Sequence, residues 1–141
     1  MTEIQDLNDW DRQIIEEFRA NGGNVGGQLA HAPLLLLTTT GAKSGEPRTR
    51  PLVYLHDAGR IYVFAGNRGA PTNPAWYHNL VAHPDVTVEL GPEKFEARAI
   101  VVDDAEGERL GRIQLQKIPA LAELAAKITR QVPVVLLERK K

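Results

Sequence analysis

Four consecutive leucines followed by three threonines, residues 34–40, form an unbroken apolar and β-branched run that predicts a buried strand. Upstream, Trp10, Ile14, Ile15 and Phe18 recur at helical spacing and draw one apolar stripe. A helix is expected there, capped by Asn8 or Asp9 and stopped at Asn21-Gly22-Gly23, where "NGGNVGG" turns into a loop. Residues 49–56 and 60–64 read as a hairpin about Asp57-Ala58-Gly59. "VTVELGPEKFEARAIVV" alternates apolar and polar positions on both sides of Gly91-Pro92, which predicts a second hairpin. Between the hairpins, Asn73 is placed to cap a short helix with Pro74 at its first position, carrying Trp76, Tyr77 and Leu80. Pro84 ends it, because proline disfavours helical geometry in the residue before it. Asp104 is placed to cap a helix reaching Ile118, and Pro119 opens another whose Leu121, Leu124, Ala125 and Ile128 share a face. "VPVVLLE" closes the chain as a strand. About six strands joined mostly by tight turns, with helices at the ends and in two insertions, predict an α+β fold: a small antiparallel barrel with helices packed outside it.

At 141 residues the chain is expected to form a single domain over 1–141, with residues 1–30 as its N-terminal helix and glycine-rich loop. The formal net charge of −1 supplies no global field to recruit nucleic acid or an anionic membrane. No cysteine is present, which removes disulfides, thiolate catalysis and Cys-based metal sites and suits a reducing cytoplasm. "MTEIQDLNDWDRQ" is acidic and lacks an apolar core, so it does not read as a signal peptide. The longest apolar run, residues 34–37, is far too short for a transmembrane segment. A cytoplasmic protein is expected, with association at the membrane periphery left open, and oligomeric state is not legible.

The candidate chemistry begins at Gly41-Ala42-Lys43-Ser44-Gly45. A nucleotide P-loop needs glycine before its lysine and a helix after it, since helix N-terminal amides hold the phosphates. Here Ala42 precedes Lys43, and Glu46-Pro47 leads into a strand. The turn still reads as an anion site. Lys43, Arg48 and Arg50 fall within eight residues opposed only by Glu46, and backbone amides from Ala42 to Gly45 are candidate donors. A solvated basic hairpin loop is the competing explanation. Ser44, the sole serine, has no histidine nearby in sequence, which argues against a nucleophile. His31, His56, His78 and His83 lack metal-ligand spacing, and the carboxylates fall where solvation explains them. Any enzyme built on this chain would leave the chemistry to a cofactor.

"TTTGAKSGEPRTRPLVYL", "NPAWYHNLVAHP" and "TRQVPVVLLE" together resemble the deazaflavin (coenzyme F420)-dependent nitroreductase family of actinobacteria. The likeness runs from the first helix to the last strand. It implies a split β-barrel related to the FMN-binding pyridoxamine-phosphate-oxidase barrels but preferring coenzyme F420. It also implies an oxidoreductase that moves a hydride between the deazaflavin and a small-molecule acceptor such as an enone, quinone or nitro compound. By the same resemblance Lys43, Ser44 and Arg48 match positions that hold the phosphate and γ-glutamyl tail, with Ala42, Thr49 and Arg50 beside them. Pro51 and Leu52 match positions along the ring and ribityl chain. Phe64, Ala65, Gly66 and Asn67 match a segment meeting the deazaflavin, and Ala75, Trp76, Tyr77, His78 and Asn79 match a wall beside it. For Trp76 and Tyr77, helix-to-barrel packing competes with cofactor contact. Where many members carry tyrosines on the substrate side, this chain has Ile118, Leu121 and Leu124, which cannot orient a polar acceptor or donate a proton. Tyr54, Tyr77, His78 or solvent remain as proton sources. Two alternatives stand beside this reading: an FMN-using split barrel, and a non-catalytic F420 carrier.

Overall fold

The computed structural model describes residues 9–26 and 32–140. The Asn8 cap and His31 lie outside those residues. The elements are α1 (Asp9–Ala20), β1 (Leu34–Thr40), β2 (Pro47–Asp57), β3 (Arg60–Phe64), α2 (Ala75–Ala82), β4 (Asp85–Leu90), β5 (Glu93–Val101), α3 (Asp104–Lys117), α4 (Ala122–Ala126) and β6 (Val134–Arg139). Single 3-10 turns occupy Asn67–Gly69 and Pro119–Leu121. Every strand pair is antiparallel, and the order β1-β2-β3-β6-β5-β4 closes on itself through β1 and β4. Closure leaves the β1 edge paired on both sides, which suits its apolar sequence.

The leucine run of β1 is apolar on both faces because each face meets a different core. Leu35 and Leu37 point into the barrel with Val63, Val88, Val135 and Leu137. Leu34 and Leu36 point outward onto Ile14, Ile15 and Phe18 of α1. Phe18 is 1% exposed, so truncating it to alanine would cost about 3–5 kcal/mol. A third cluster packs Leu110 of α3 on Leu55, Tyr62, Val134 and Leu136, outside β2, β3 and β6. Arg109 of α3 also reaches Asp57 at 3.6 Å, fixing the helix over the β2–β3 turn. That turn places Ala58 and Gly59 at φ 52° and 77°, the doubly left-handed geometry that matches strand twist.

Helix α2 differs from the expectation that helices pack outside. Its Trp76 and Leu80 join the interior cluster, so this helix contributes to the barrel's own core. Two caps also move. Pro74 takes the N-cap position of α2 with no side-chain bond, and Asn73 instead accepts from Arg130. At α3 the cap is Asp103, which accepts from the Glu106 amide at 2.8 Å, one residue before the expected Asp104. The helix expected after Pro119 shortens to a 3-10 turn and a five-residue helix with no buried residue.

Strand β2 changes partners halfway. Residues 47–53 pair with β1, and residues 54–57 pair with β3. The Tyr54 amide donates to the Pro33 carbonyl at 3.0 Å, so even-numbered amides of β2 face β1. By the period-two alternation, odd positions face the other way, and two of them are Pro47 and Pro51, which have no amide hydrogen. Proline is tolerated inside this strand because its missing donor lies where no neighbouring strand needs it. The barrel is therefore split along the first half of β2.

Candidate functional site

A cleft of about 1290 Å³ opens along that split. Arg50, Pro51, Leu52 and Val53 all line it, and successive residues of a strand point to opposite faces, so the cleft wraps around β2. Its cationic end is the β1–β2 turn, where Ala42, Lys43, Ser44 and Arg48 line the wall.

This turn is held by specific contacts. The Gly41 amide donates to the Glu46 carbonyl at 2.8 Å, and the Gly45 amide to the Gly41 carbonyl at 2.9 Å. The Ser44 hydroxyl accepts from the Glu46 amide at 3.2 Å. A Cβ at Gly41 would lie 2.4 Å from Ser44 Oγ, so any other residue would push that hydroxyl off the Glu46 amide. Asn79 of α2, 9% exposed, ties the turn to the barrel. Its Oδ1 accepts from the Ala42 amide at 2.9 Å, and its Nδ2 donates to Thr39 Oγ1 at 3.1 Å. Two of the four amides expected as anion donors, those of Ala42 and Gly45, are thus used inside the protein. Arg48 donates to Glu46 at 3.4 Å and Arg50 to the Thr49 carbonyl at 2.9 Å, contacts that orient both guanidinium groups along β2.

Of the other residues singled out from the sequence, Phe64, Gly66, Asn67, Ala75, Trp76, His78, Leu121 and Leu124 also line the cleft. Four do not. Thr49 is fully buried with its hydroxyl 2.7 Å from that of Thr38. Ala65 is fully buried, and its carbonyl accepts from Arg130. Tyr77 leans on the barrel cluster, with its ring edge-on to His78 at 5.6 Å. Ile118 forms the C-cap of α3, away from the cleft wall. Tyr54 packs on the interior cluster, so His78 is the one protein proton source named from the sequence that lines the cleft.

Several lining residues escaped the sequence reading. Arg130 donates to the carbonyls of Ala65 and Thr72 at 3.0 Å each, Gly66 at 3.3 Å and Ala70 at 3.4 Å, and also to Asn73 Oδ1. One guanidinium thereby gathers the whole 65–73 loop, with no acidic partner among the described residues. The loop's other closure is Asn67, whose Nδ2 donates to the Thr72 carbonyl at 2.9 Å. Trp10 of α1, together with Gly107, Gly111, Gln114 and Leu115 of α3, builds a further wall. "TRQVPVVLLE" contains Arg130, but nothing local shows that its acceptors lie about sixty residues upstream. Among the described residues no group of His, Asp or Glu is placed to hold a metal ion, and no helix is long and apolar enough to cross a membrane.

A split six-stranded barrel with a preorganised cationic turn at one end of an apolar cleft defines a class of cofactor-binding oxidoreductase barrels. The chain belongs to the F420H(2)-dependent quinone reductase family, whose model matches residues 10–139, and its cofactor is coenzyme F420. It is 36% identical over 127 residues to an F420H(2)-dependent quinone reductase of Mycobacterium tuberculosis, covering 87% of this chain and 85% of the relative. Among solved structures, an F420-H2 dependent reductase, FDR-A, superimposes with a TM-score of 0.67 at 34% identity, covering 75% of this chain and 94% of that one. A structure described as a domain-swapped dimer superimposes with a TM-score of 0.69 at 33% identity, covering 92% and 98%. The family assignment makes this an F420-dependent oxidoreductase and displaces the FMN-using alternative.

Proposed function

We propose that the chain is a single-domain, cytoplasmic F420H2-dependent reductase of small-molecule quinones, with the cofactor along the split of β2. The observation that carries this reading is the polarity of the cleft: cations sit at one end of a strand edge whose remaining walls are mostly apolar. Coenzyme F420 is flat at one end and anionic at the other, and the residues present fit both halves. Lys43, Ser44, Arg48 and Arg50 would hold the phosphate and glutamyl tail through charge-assisted hydrogen bonds. Pro51 and Leu52 would flank the ribityl chain and ring, opposite Gly66, Asn67, Ala75 and Trp76. Thr49 and Ala65 serve that surface from behind by fixing strand and loop, and Asn79, which itself lines the cleft, fixes the turn.

Bound F420H2 supplies a hydride to the acceptor. The chain's own part is to exclude water with Trp76, Phe64 and Leu52 and to hold the reactants in one orientation. His78 lines the cleft and is placed to return a proton to the reduced acceptor, with solvent as the other source. Leu121 and Leu124 would border the acceptor and favour apolar quinones and enones over polar nitro compounds. The relatives are named as quinone reductases, which supports the quinone class. The likeness to a domain-swapped dimer supports a dimer for this chain. Fluorescence titration with F420, followed by oxidation of F420H2 with a panel of quinones, enones and nitroarenes, tests the reading. Tight F420 binding without turnover of any acceptor would leave the carrier alternative in its place.

A further inference from the structure

We infer that Gln114 is the polar handle by which this cleft recognises the carbonyl oxygen of its acceptor, an inference that rests on the quinone-reductase reading. Gln114 is 5% exposed, yet it lines the cleft. Its carboxamide has no hydrogen-bond partner among the described residues, although its backbone carbonyl is used by the Ile118 amide at 2.8 Å. The side chain is nearly enclosed, yet its carboxamide atoms are not sealed off and open to the cleft, which marks a place where a ligand or water completes them.

The neighbourhood says which ligand. Gly107 and Gly111 share the α3 face that borders the cleft, one turn apart. A Cβ on Gly107 would touch Val134 Cγ2 at 3.4 Å, whereas one on Gly111 would meet nothing within 4 Å. The helix therefore leans on β6 at Gly107 and leaves open floor at Gly111, next to the carboxamide. Leu115, Leu121 and Leu124 add apolar wall, and Glu108 adds a carboxylate that opposes an anionic ligand. A planar, neutral carbonyl compound suits this corner, and the anionic tail of the cofactor does not.

A carboxamide also suits both ends of the reaction. Its Nε2 donates to a quinone carbonyl, and its Oε1 accepts from the hydroxyl that replaces that carbonyl after reduction. Gln114 thus supplies the polar contact that Ile118, Leu121 and Leu124 cannot.

The test compares wild type with Gln114→Leu in three measurements. Binding of a short-chain naphthoquinone to the protein loaded with oxidised F420, followed by quenching of tryptophan fluorescence, should weaken about tenfold, with KM rising by a similar factor. F420 affinity, read from cofactor fluorescence, should change by less than about twofold. The melting temperature of the cofactor-free protein should stay level or rise, because the substitution breaks no hydrogen bond within the protein. Unchanged naphthoquinone binding overturns the inference, as does a fall in melting temperature, which would make the carboxamide a structural group. A wild type that binds F420 but neither binds nor reduces the naphthoquinone overturns the quinone reading itself, and the inference with it.

Discussion

At one end of the cleft, Lys43, Arg48 and Arg50 are crowded into eight residues spanning the β1–β2 turn and the start of β2, with the turn held by Asn79, Gly41 and Ser44. At the other, the 118–128 segment is a 3-10 turn and a five-residue helix without a single buried residue, and Leu124 is 37% exposed. The Asn79 carboxamide ties the Ala42 amide of the turn to Thr39 of β1, so the turn is preorganised and a ligand pays little to order it. The far wall has apolar side chains and few fixed contacts, so it adapts to shape and supplies no polar direction of its own. Affinity for the cofactor therefore belongs to the turn, and choice of acceptor belongs to the α3–α4 side.

The sharpest way to break this division is at the turn. Lys43→Ala or Arg48→Ala should each weaken F420 binding about ten- to a hundredfold, the value of a charge-assisted hydrogen bond of about 1.5–3 kcal/mol. Lys43 extends from the exposed turn, so its removal should hardly move the melting temperature, whereas loss of Arg48, half-buried at the start of β2 and paired with Glu46, should cost slightly more. Raising ionic strength should weaken wild-type binding and have less effect on the variants. Titration by cofactor fluorescence, with thermal melts alongside, measures each of these; equal affinity in both variants would remove the turn from the site.

The cofactor itself offers the second comparison. FMN has a phosphate but no glutamyl tail and forgoes part of the cationic cluster, so it should bind at least about tenfold more weakly than F420. Parallel titrations decide this, and equal affinity would show that the tail is not read by the turn.

Asn79→Ala separates anchoring from charge. It leaves Thr39 Oγ1 and the Ala42 amide without their partner, and Thr39 is 2% exposed. Stability should fall by about 1–3 kcal/mol in chemical denaturation. F420 affinity should drop only severalfold, because all three cations remain. A loss as large as that of Lys43→Ala would mean that Asn79 touches the cofactor directly.

The smallest effect is expected at the far wall. Leu121→Tyr places a phenol where the wall has none, and relative turnover of nitroimidazoles over apolar quinones should rise by a few fold. The reason is that a buried nitro group without a partner costs about 1–3 kcal/mol. Steady-state rates with F420H2 for both acceptors provide the ratio, and an unchanged ratio would place the acceptor elsewhere in the cleft.

The sequence by itself determined the strands, both hairpins and the first helix, because each is written in a local period: the leucine run of β1, the alternation of β4 and β5, the stripe of α1. It also determined the cationic end of the cleft, since three cations within eight residues are close whatever the rest of the chain does. Caps were legible only to within a residue, because Asp103 and Asp104 are equally good hydrogen-bond acceptors and the helix axis chooses between them. Tertiary structure decided the rest. Only closure of the barrel shows that Arg130 gathers carbonyls from 65–73, that Asn79 of α2 holds the β1–β2 turn, and that Trp10 and Gln114 face a common cleft. Those contacts join residues tens of positions apart, and their chemistry is generic until the fold brings them together. Gln114 on a helix surface is an ordinary solvated amide; nearly enclosed, with its carboxamide open only to the cleft, it becomes a recognition group. Burial gives it that meaning, and burial follows from how α3 packs on β6 rather than from any pattern along the chain.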